Sequence, residues 1–193
     1  MTSVTTDGIL DMFRGIGALL EGHFRLTSGL HSSGYLQCAL VLQHPREAEM
    51  CGAALADRLR ALGAQTVLSP AIGGIVIGQE VARALGVRAI FAERQDGRLT
   101  LRRGFSLAPG EKVVVIEDVV TTGGSTRETI DVARAAGAEV LAAGTIIDRS
   151  GGRQQIDVPF HALAAISLPT YEAEACPLCL AGLPVVKPGS RVV

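Results

Sequence analysis

A chain of 193 residues can build one well-cored domain and little more. It is 48% hydrophobic with 23 glycines, which suits an α/β protein with many tight turns and excludes a disordered or fibrous chain. Its net charge of -1 gives no bulk electrostatic case for nucleic acid or an anionic membrane. No apolar stretch approaches a membrane span, and the first ten residues lack the basic-then-apolar pattern of a signal peptide, so the expected location is the cytoplasm. Lys112 and Lys187 are the only lysines, so a basic side chain needed before residue 112 must be Arg or His.

In chain order, Thr6 or Asp7 can cap a helix running to about Glu21, with Ile9, Leu10, Phe13, Ile16 and Leu20 on one face. A polar stretch from Thr27 to Gly34 precedes a short apolar run, Tyr35 to Leu42. Pro45 opens a second helix, with Met50, Ala54, Leu55, Leu59 and Leu62 spaced for one buried side and Gly63 as its stop. The pattern then alternates. Thr66 to Ser69, Arg88 to Ala92, Lys112 to Ile116 and Val140 to Ile147 read as strands. Gly74 to Leu85 and Ser125 to Ala136 read as helices, each stopped by a glycine. Hydrophobic strands alternating with helices predict a parallel sheet flanked by helices. The polar connection from Glu93 to Gly110 breaks the alternation. It carries Arg94, Arg98, Arg102 and Arg103, and can form a hairpin around Gln95-Asp96-Gly97.

The segment with most chemical content is Val113-Val-Val-Ile-Glu-Asp-Val-Val-Thr-Thr-Gly-Gly-Ser125. It leaves a strand through Val119 and Val120 and enters a helix through Thr121, Thr122, Gly123, Gly124 and Ser125. Successive backbone N–H groups at a helix N-terminus suit a phosphate monoester, and the hydroxyls of Thr121, Thr122, Ser125 and Thr126 can add donors. Glu117 and Asp118 are too costly to bury without partners. Ribose hydroxyls, or Mg²⁺ held partly through water, would satisfy them. The Gly-Lys-[Ser/Thr] of a Walker loop and the glycine spacing of a dinucleotide fingerprint are both absent.

Four hydrophobics, two acids, two hydrophobics, two threonines and then small residues resemble the PRPP (5-phospho-α-D-ribose 1-diphosphate) motif of the type I phosphoribosyltransferases. Other segments resemble the orotate phosphoribosyltransferase family in order. Gly22 to Gln37 looks like its early substrate segment, where Tyr35 and Leu36 would help enclose the base. Ser69-Pro-Ala-Ile-Gly-Gly-Ile75 is similar to its pyrophosphate loop, with the backbone amides of Ile72, Gly73 and Gly74 available to an anion. Glu93 to Gly104 stands where that family has a mobile catalytic loop that closes over PRPP, commonly on the neighbouring subunit's site. Arg94 and Arg98 would cover the diphosphate. In Ile146-Ile-Asp-Arg149, the family pairs the arginine with the orotate carboxylate, and Asp148 could hold that arginine in place.

The resemblance implies a type I phosphoribosyltransferase fold over 1–193. A small hood, about 1–42 plus a C-terminal segment, would sit on a core of about 43–170. It implies transfer of ribose 5-phosphate from PRPP to orotate in pyrimidine synthesis, with Mg²⁺, in a homodimer. Thr121 and Arg149 would orient orotate, while Arg98 and Asp118 would act in catalysis. The sequence departs from the family pattern where lysines are usual, at Thr27, at Gly73 and throughout the arginine-bearing loop. Arginine neutralises diphosphate but cannot act as a general acid near neutral pH. Two alternatives therefore stay open, a transferase for a purine base and a PRPP-sensing regulator without catalysis. The pair Cys176-Pro-Leu-Cys179 has no second pair with zinc-site spacing and only His161 nearby in sequence, so packing or a turn is its expected role.

Overall fold

The computed structural model describes residues 5–26 and 28–188, so the expectation placed on Thr27 lies outside the described residues. The runs of apolar residues on the central strands dictate its layers. Lys112–Val120 forms β6, and its successive side chains point to opposite faces of a sheet. Val114 and Ile116 enter one core cluster, with Val67, Ile77, Val81 and Leu55. Val113 and Val115 enter a second, with Leu68, Ile130 and Ala133. A strand buried on both faces must be covered by helices on both sides.

Six strands make this main sheet: β3 (Thr66–Pro70), β4 (Arg88–Gln95), β5 (Arg98–Leu101), β6, β7 (Glu139–Asp148) and β8 (Phe160–Ala165). Their order is β5-β4-β3-β6-β7-β8, and all pair in parallel except β5, which runs antiparallel to β4. Helices α1 (Thr6–Ile16), α3 (Pro45–Leu59) and α4 (Gly74–Leu85) contribute to the first cluster, and α5 (Gly124–Ala135) to the second. The expected parallel sheet flanked by helices is the observed architecture.

The chain from β3 winds to β4 on one side, and the chain from β6 winds to β7 on the other. The carboxyl ends of β3 and β6 therefore diverge, leaving the crevice in which open α/β sheets bind ligands.

A second sheet of three antiparallel strands joins the two ends of the chain: β1 (Leu19–Arg25), β2 (His31–Leu36) and β9 (Thr170–Tyr171). A short helix, α2 (Cys38–Leu42), leads from β2 back to the core, and a single helical turn, α6 (Pro177–Leu180), follows β9. Beyond α6 the chain returns along β1, where Val186 N donates to His23 O (2.8 Å) and Arg25 N donates to Val186 O (2.8 Å).

Several expectations need correction. Helix α1 stops at Ile16 because Gly17 takes a left-handed conformation (φ 76°), and its N–H and that of Ala18 close the last turn onto Arg14 and Phe13. Leu20 and Glu21 therefore lie in a strand. The apolar run Tyr35 to Leu42 splits into the end of β2 and α2. Met50 faces outward, while Ala48, Cys51, Leu55, Ala56 and Leu59 form the buried side of α3. No strand was expected over β8, where Phe160 to Ala165 shows no alternation to read.

Helices α3 and α4 cross closely because position 52 has no side chain. A Cβ on Gly52 would stand 2.5 Å from the Cβ of Glu80 and 2.8 Å from its carbonyl carbon. Gly52→Ala should destabilise the fold by roughly 1–3 kcal/mol, as overpacked sites do, measured as a lower urea midpoint with unchanged slope.

Candidate active site

The sequence at the end of β6 turns abruptly because glycine is needed there. Gly123 has φ 74°, and a Cβ at that position would meet the Gln154 carbonyl oxygen at 2.5 Å. From Gly124 the chain is helical, so α5 presents unpaired N–H groups to the crevice. Arg127, one turn into α5, donates to the carbonyl oxygens of Thr122 (2.8 Å) and Gln154, fastening the loop from behind. Thr121 and Thr122 are exposed and Ser125 half-buried. Thr126 differs from the expectation, because its hydroxyl is buried and donates to the Glu117 carboxylate. It is a support for that acid and is not a free donor for an anion.

Across the crevice, the turn 71–73 leads from β3 into α4, with the Ala71–Ile72 peptide cis. A Cβ on Gly73 would lie 2.8 Å from a carboxylate oxygen of Asp118, and one on Gly74 would lie 3.1 Å from the Ile116 carbonyl oxygen. The two expected anion loops are thus in contact, and glycine at 73 and 74 permits it. Ile72 itself is largely exposed.

Glu117 and Asp118 lie at this junction. Burial, opposed by the Thr126 hydrogen bond and reinforced by the neighbouring Asp118 charge, pushes the Glu117 carboxyl up to about 7. Burial likewise raises Asp118, against the pull of backbone N–H groups. Adjacent carboxyls held so expensively call for hydroxyl donors or a divalent cation, and the donor set suits Mg²⁺ reached through water and ligand oxygens.

Arg149 follows β7 directly, and its backbone N–H donates to the Val120 carbonyl oxygen (2.7 Å), which sets it beside the loop between β6 and α5. Its Nε is buried and has no hydrogen-bond partner. Burial lowers its pKa, while Cys38 and Tyr35 lie near enough to act in the other direction. Asp148 does not hold Arg149; its carboxylate accepts from Ser150 N (2.7 Å) and shapes the following turn. Of the expected aromatic–apolar pair, Tyr35 is half-buried near Arg149, whereas Leu36 points the other way and packs into the main core.

The polar connection is the expected hairpin. Gln95 pairs with Arg98 around Asp96 (φ 51°) and Gly97 (φ 82°), the two left-handed residues of a type I′ turn. Arg94 is paired with Glu128 of α5 (2.9 Å) and donates to the Gly97 carbonyl oxygen (2.8 Å). Arg103 makes a two-pronged pair with Glu93 (2.7 and 2.8 Å) over the Phe91 ring. Arg98 and Arg102 make no side-chain hydrogen bond or ion pair among the described residues, so they are the cations of this connection most available to an anion, and Arg98 stands at the tip of the hairpin. Sequence reasoning missed Arg127, Gln154 and Glu128, which act on the site across intervals of chain that carry no pattern.

A family model described as "Phosphoribosyl transferase domain" matches residues 39–167. A protein of Desulforamulus reducens named orotate phosphoribosyltransferase is 54% identical over 96% of this chain and 97% of its own. Among solved structures, the orotate phosphoribosyltransferase of Mycobacterium tuberculosis superposes with a TM-score of 0.69 at 18% identity, covering 82% of this chain and 96% of that one. The adenine phosphoribosyltransferase of Leishmania tarentolae also superposes, with a TM-score of 0.56 at 19% identity over 69% of this chain and 77% of that one. The fold is therefore shared across enzymes named for different bases, and the high sequence identity points to one of them.

The raised Glu117 pKa has a consequence for stability. The folded state holds this proton up to about pH 7, whereas the unfolded chain releases it near 4.5, so stability falls as pH rises between those values. Glu117→Gln removes that dependence. Its stability relative to the parent should improve by up to about 3 kcal/mol across this pH range, followed by urea unfolding at several pH values.

Proposed function

The chain belongs to the orotate phosphoribosyltransferase family, and from that premise we propose that it transfers the ribose 5-phosphate unit of PRPP to orotate, giving orotidine 5′-phosphate and diphosphate in pyrimidine synthesis. The observation that carries the choice of base is Arg149, a half-buried side chain with a buried, unpartnered Nε at the edge of the loop that follows β6. A planar carboxylate can accept two parallel hydrogen bonds from such a group and relieve its burial cost. A purine base carries no carboxylate to do so. A sensor without catalysis is disfavoured by full-length identity to relatives named as transferases.

In this reading, the N–H groups of Thr121, Thr122, Gly123, Gly124 and Ser125 hold the 5′-phosphate at the start of α5. Val119 and Val120 set the height of the loop. Glu117 and Asp118 accept from the ribose hydroxyls, and PRPP arriving with its cation would favour their charged forms. The amides of Ile72, Gly73 and Gly74 hold the diphosphate at the start of α4. Arg149 orients orotate, with Thr121 beside the carboxylate, Tyr35 as a wall of the pocket, and Leu36 behind it in the core. Mg²⁺, approached by Glu117 or Asp118 through water, would neutralise charge on the diphosphate.

The bond between ribose and diphosphate breaks as a nitrogen of orotate approaches. Positive charge grows on the ribose and negative charge on the leaving group. Asp118, beneath the ribose, stabilises the first charge. Arg98 stabilises the second, and Arg94 joins it if its pair with Glu128 opens. In this reading no arginine delivers a proton; the cations act by stabilising the negative charge of the departing diphosphate. We assign the hairpin to the neighbouring subunit's site in a homodimer; the outward-facing Arg98 supports this. The four free cysteines support a cytoplasmic setting.

Arg149→Ala should lower kcat/KM for orotate about 10–100-fold while sparing PRPP affinity, the usual cost of a lost charge-assisted contact. Ultraviolet absorbance of orotate consumption with PRPP and Mg²⁺ reads it, and unchanged kinetics would remove Arg149 from the base site. Mixing the impaired Arg98→Ala and Arg149→Ala chains should raise activity above that of either variant alone if the hairpin works across subunits, because one mixed site then carries both arginines. No gain on mixing, with subunit exchange confirmed by light scattering and tagged pull-down, would place Arg98 in its own subunit's site.

A further inference from the structure

The paired cysteines meet two histidines that are far from them in the sequence. His23 comes from β1 and His31 from the start of β2, while Cys176 caps α6 and Cys179 lies within it. One ligating atom from each of the four lies within 4.8 Å of all the others. His23, His31 and Cys176 are buried. Among the described residues this is the group of metal-ligating side chains that converges on one point.

We propose that His23, His31, Cys176 and Cys179 form a structural zinc site that fastens the C-terminal segment to the N-terminal sheet.

Three observations carry it. First, the ligand set is complete, with two imidazoles and two thiols and no fifth His, Cys, Asp or Glu in the group among the described residues, as a closed structural site requires. Second, the separations fit. Around a tetrahedral zinc with bonds of about 2.0–2.3 Å, ligand atoms stand about 3.3–3.8 Å apart. Here Cys176 Sγ is 3.5 Å and Cys179 Sγ is 3.7 Å from His23 Nε2, and Cys179 Sγ is 3.3 Å from His31 Nδ1. The two imidazole nitrogens stand closer, at 2.8 Å, as a hydrogen bond without an ion would hold them, and a small ring rotation opens that edge. Third, the orientation of His23 is fixed from behind. Its Nδ1 is 2.8 Å from the Leu183 carbonyl oxygen, so Nδ1 carries the proton and Nε2 turns its lone pair inward, the usual support of a metal-bound histidine.

The location gives the ion a purpose. A three-stranded sheet with a two-residue third strand has little core of its own. The four ligands join β1, β2 and α6, and Tyr35 of the base pocket lies four residues beyond His31 on the same strand. Zinc would act on catalysis only indirectly, by holding that strand.

The full-length chain, prepared in reductant with zinc sulfate and then gel-filtered, should retain one zinc per chain by elemental mass spectrometry. A thiol-reactive mercurial should release it. Loading with Co²⁺ instead should give thiolate charge-transfer absorption in the near ultraviolet and tetrahedral ligand-field bands in the visible. The double variant Cys176→Ser, Cys179→Ser should lose both signals and melt roughly 5–10 °C lower. His31→Asn, whose cysteines remain, should shift the cobalt bands and weaken binding at least about tenfold. Parent protein that is folded by circular dichroism yet carries less than about a tenth of an equivalent of zinc would overturn the proposal. So would zinc retained by a folded double variant, or a Cys176–Cys179 disulfide in chain freshly isolated without reductant.

Discussion

The close approach of two strand-end loops governs this molecule. Strands β3 and β6 lie side by side, and the chains leaving them turn to opposite sides of the sheet. Their loops meet at Gly73 and Asp118, with no room for even one methyl group between backbone and carboxylate. Two helix N-termini therefore open onto one crevice, separated by two acids. A diphosphate at one helix, a phosphate at the other and a sugar between them is the arrangement that uses all three features at once. Moving either loop outward by the width of a side chain would break that match.

The charges around the crevice are balanced unevenly in the absence of ligand. Glu117 and Asp118 are held where burial favours their protonated forms, and Arg149 is held where burial disfavours the charge it carries. Each is costly alone, and each would be relieved by a different part of the substrates. The hairpin cations show the opposite economy: Arg94 and Arg103 are already paired with Glu128 and Glu93, leaving Arg98 and Arg102 uncommitted. A lid built on arginine can stabilise a leaving diphosphate, and the absence of lysine in it matches a mechanism that depends on charge more than on proton transfer.

What could be read from the sequence was what is local. The helices α4 and α5 follow from glycine boundaries and period, β6 from its β-branched run, and the hairpin from Asp96-Gly97. The phosphate loop was legible because all its parts are consecutive. Leu36 was misjudged because a two-residue motif does not say which face each member takes. Thr126 and Asp148 were misjudged because a nearer acceptor or donor claims each side chain. The cluster of His23, His31, Cys176 and Cys179 was illegible for a plainer reason: no spacing rule spans the 145 residues from His31 to Cys176. The sequence offers only a single Cys-x-x-Cys and two histidines eight residues apart near the other end.

The N-terminal sheet takes its third strand, and the segment that lies along β1, from the far end of the chain. During synthesis, β1 and β2 leave the ribosome first and must wait while more than a hundred residues of core are made. Vectorial folding can complete the crevice between β3 and β6 before release, since its parts end at Gln154. The N-terminal sheet can be completed only after the last segment is free. A nascent chain stalled near its end would thus hold a formed cradle for the sugar phosphate beneath an unfinished roof.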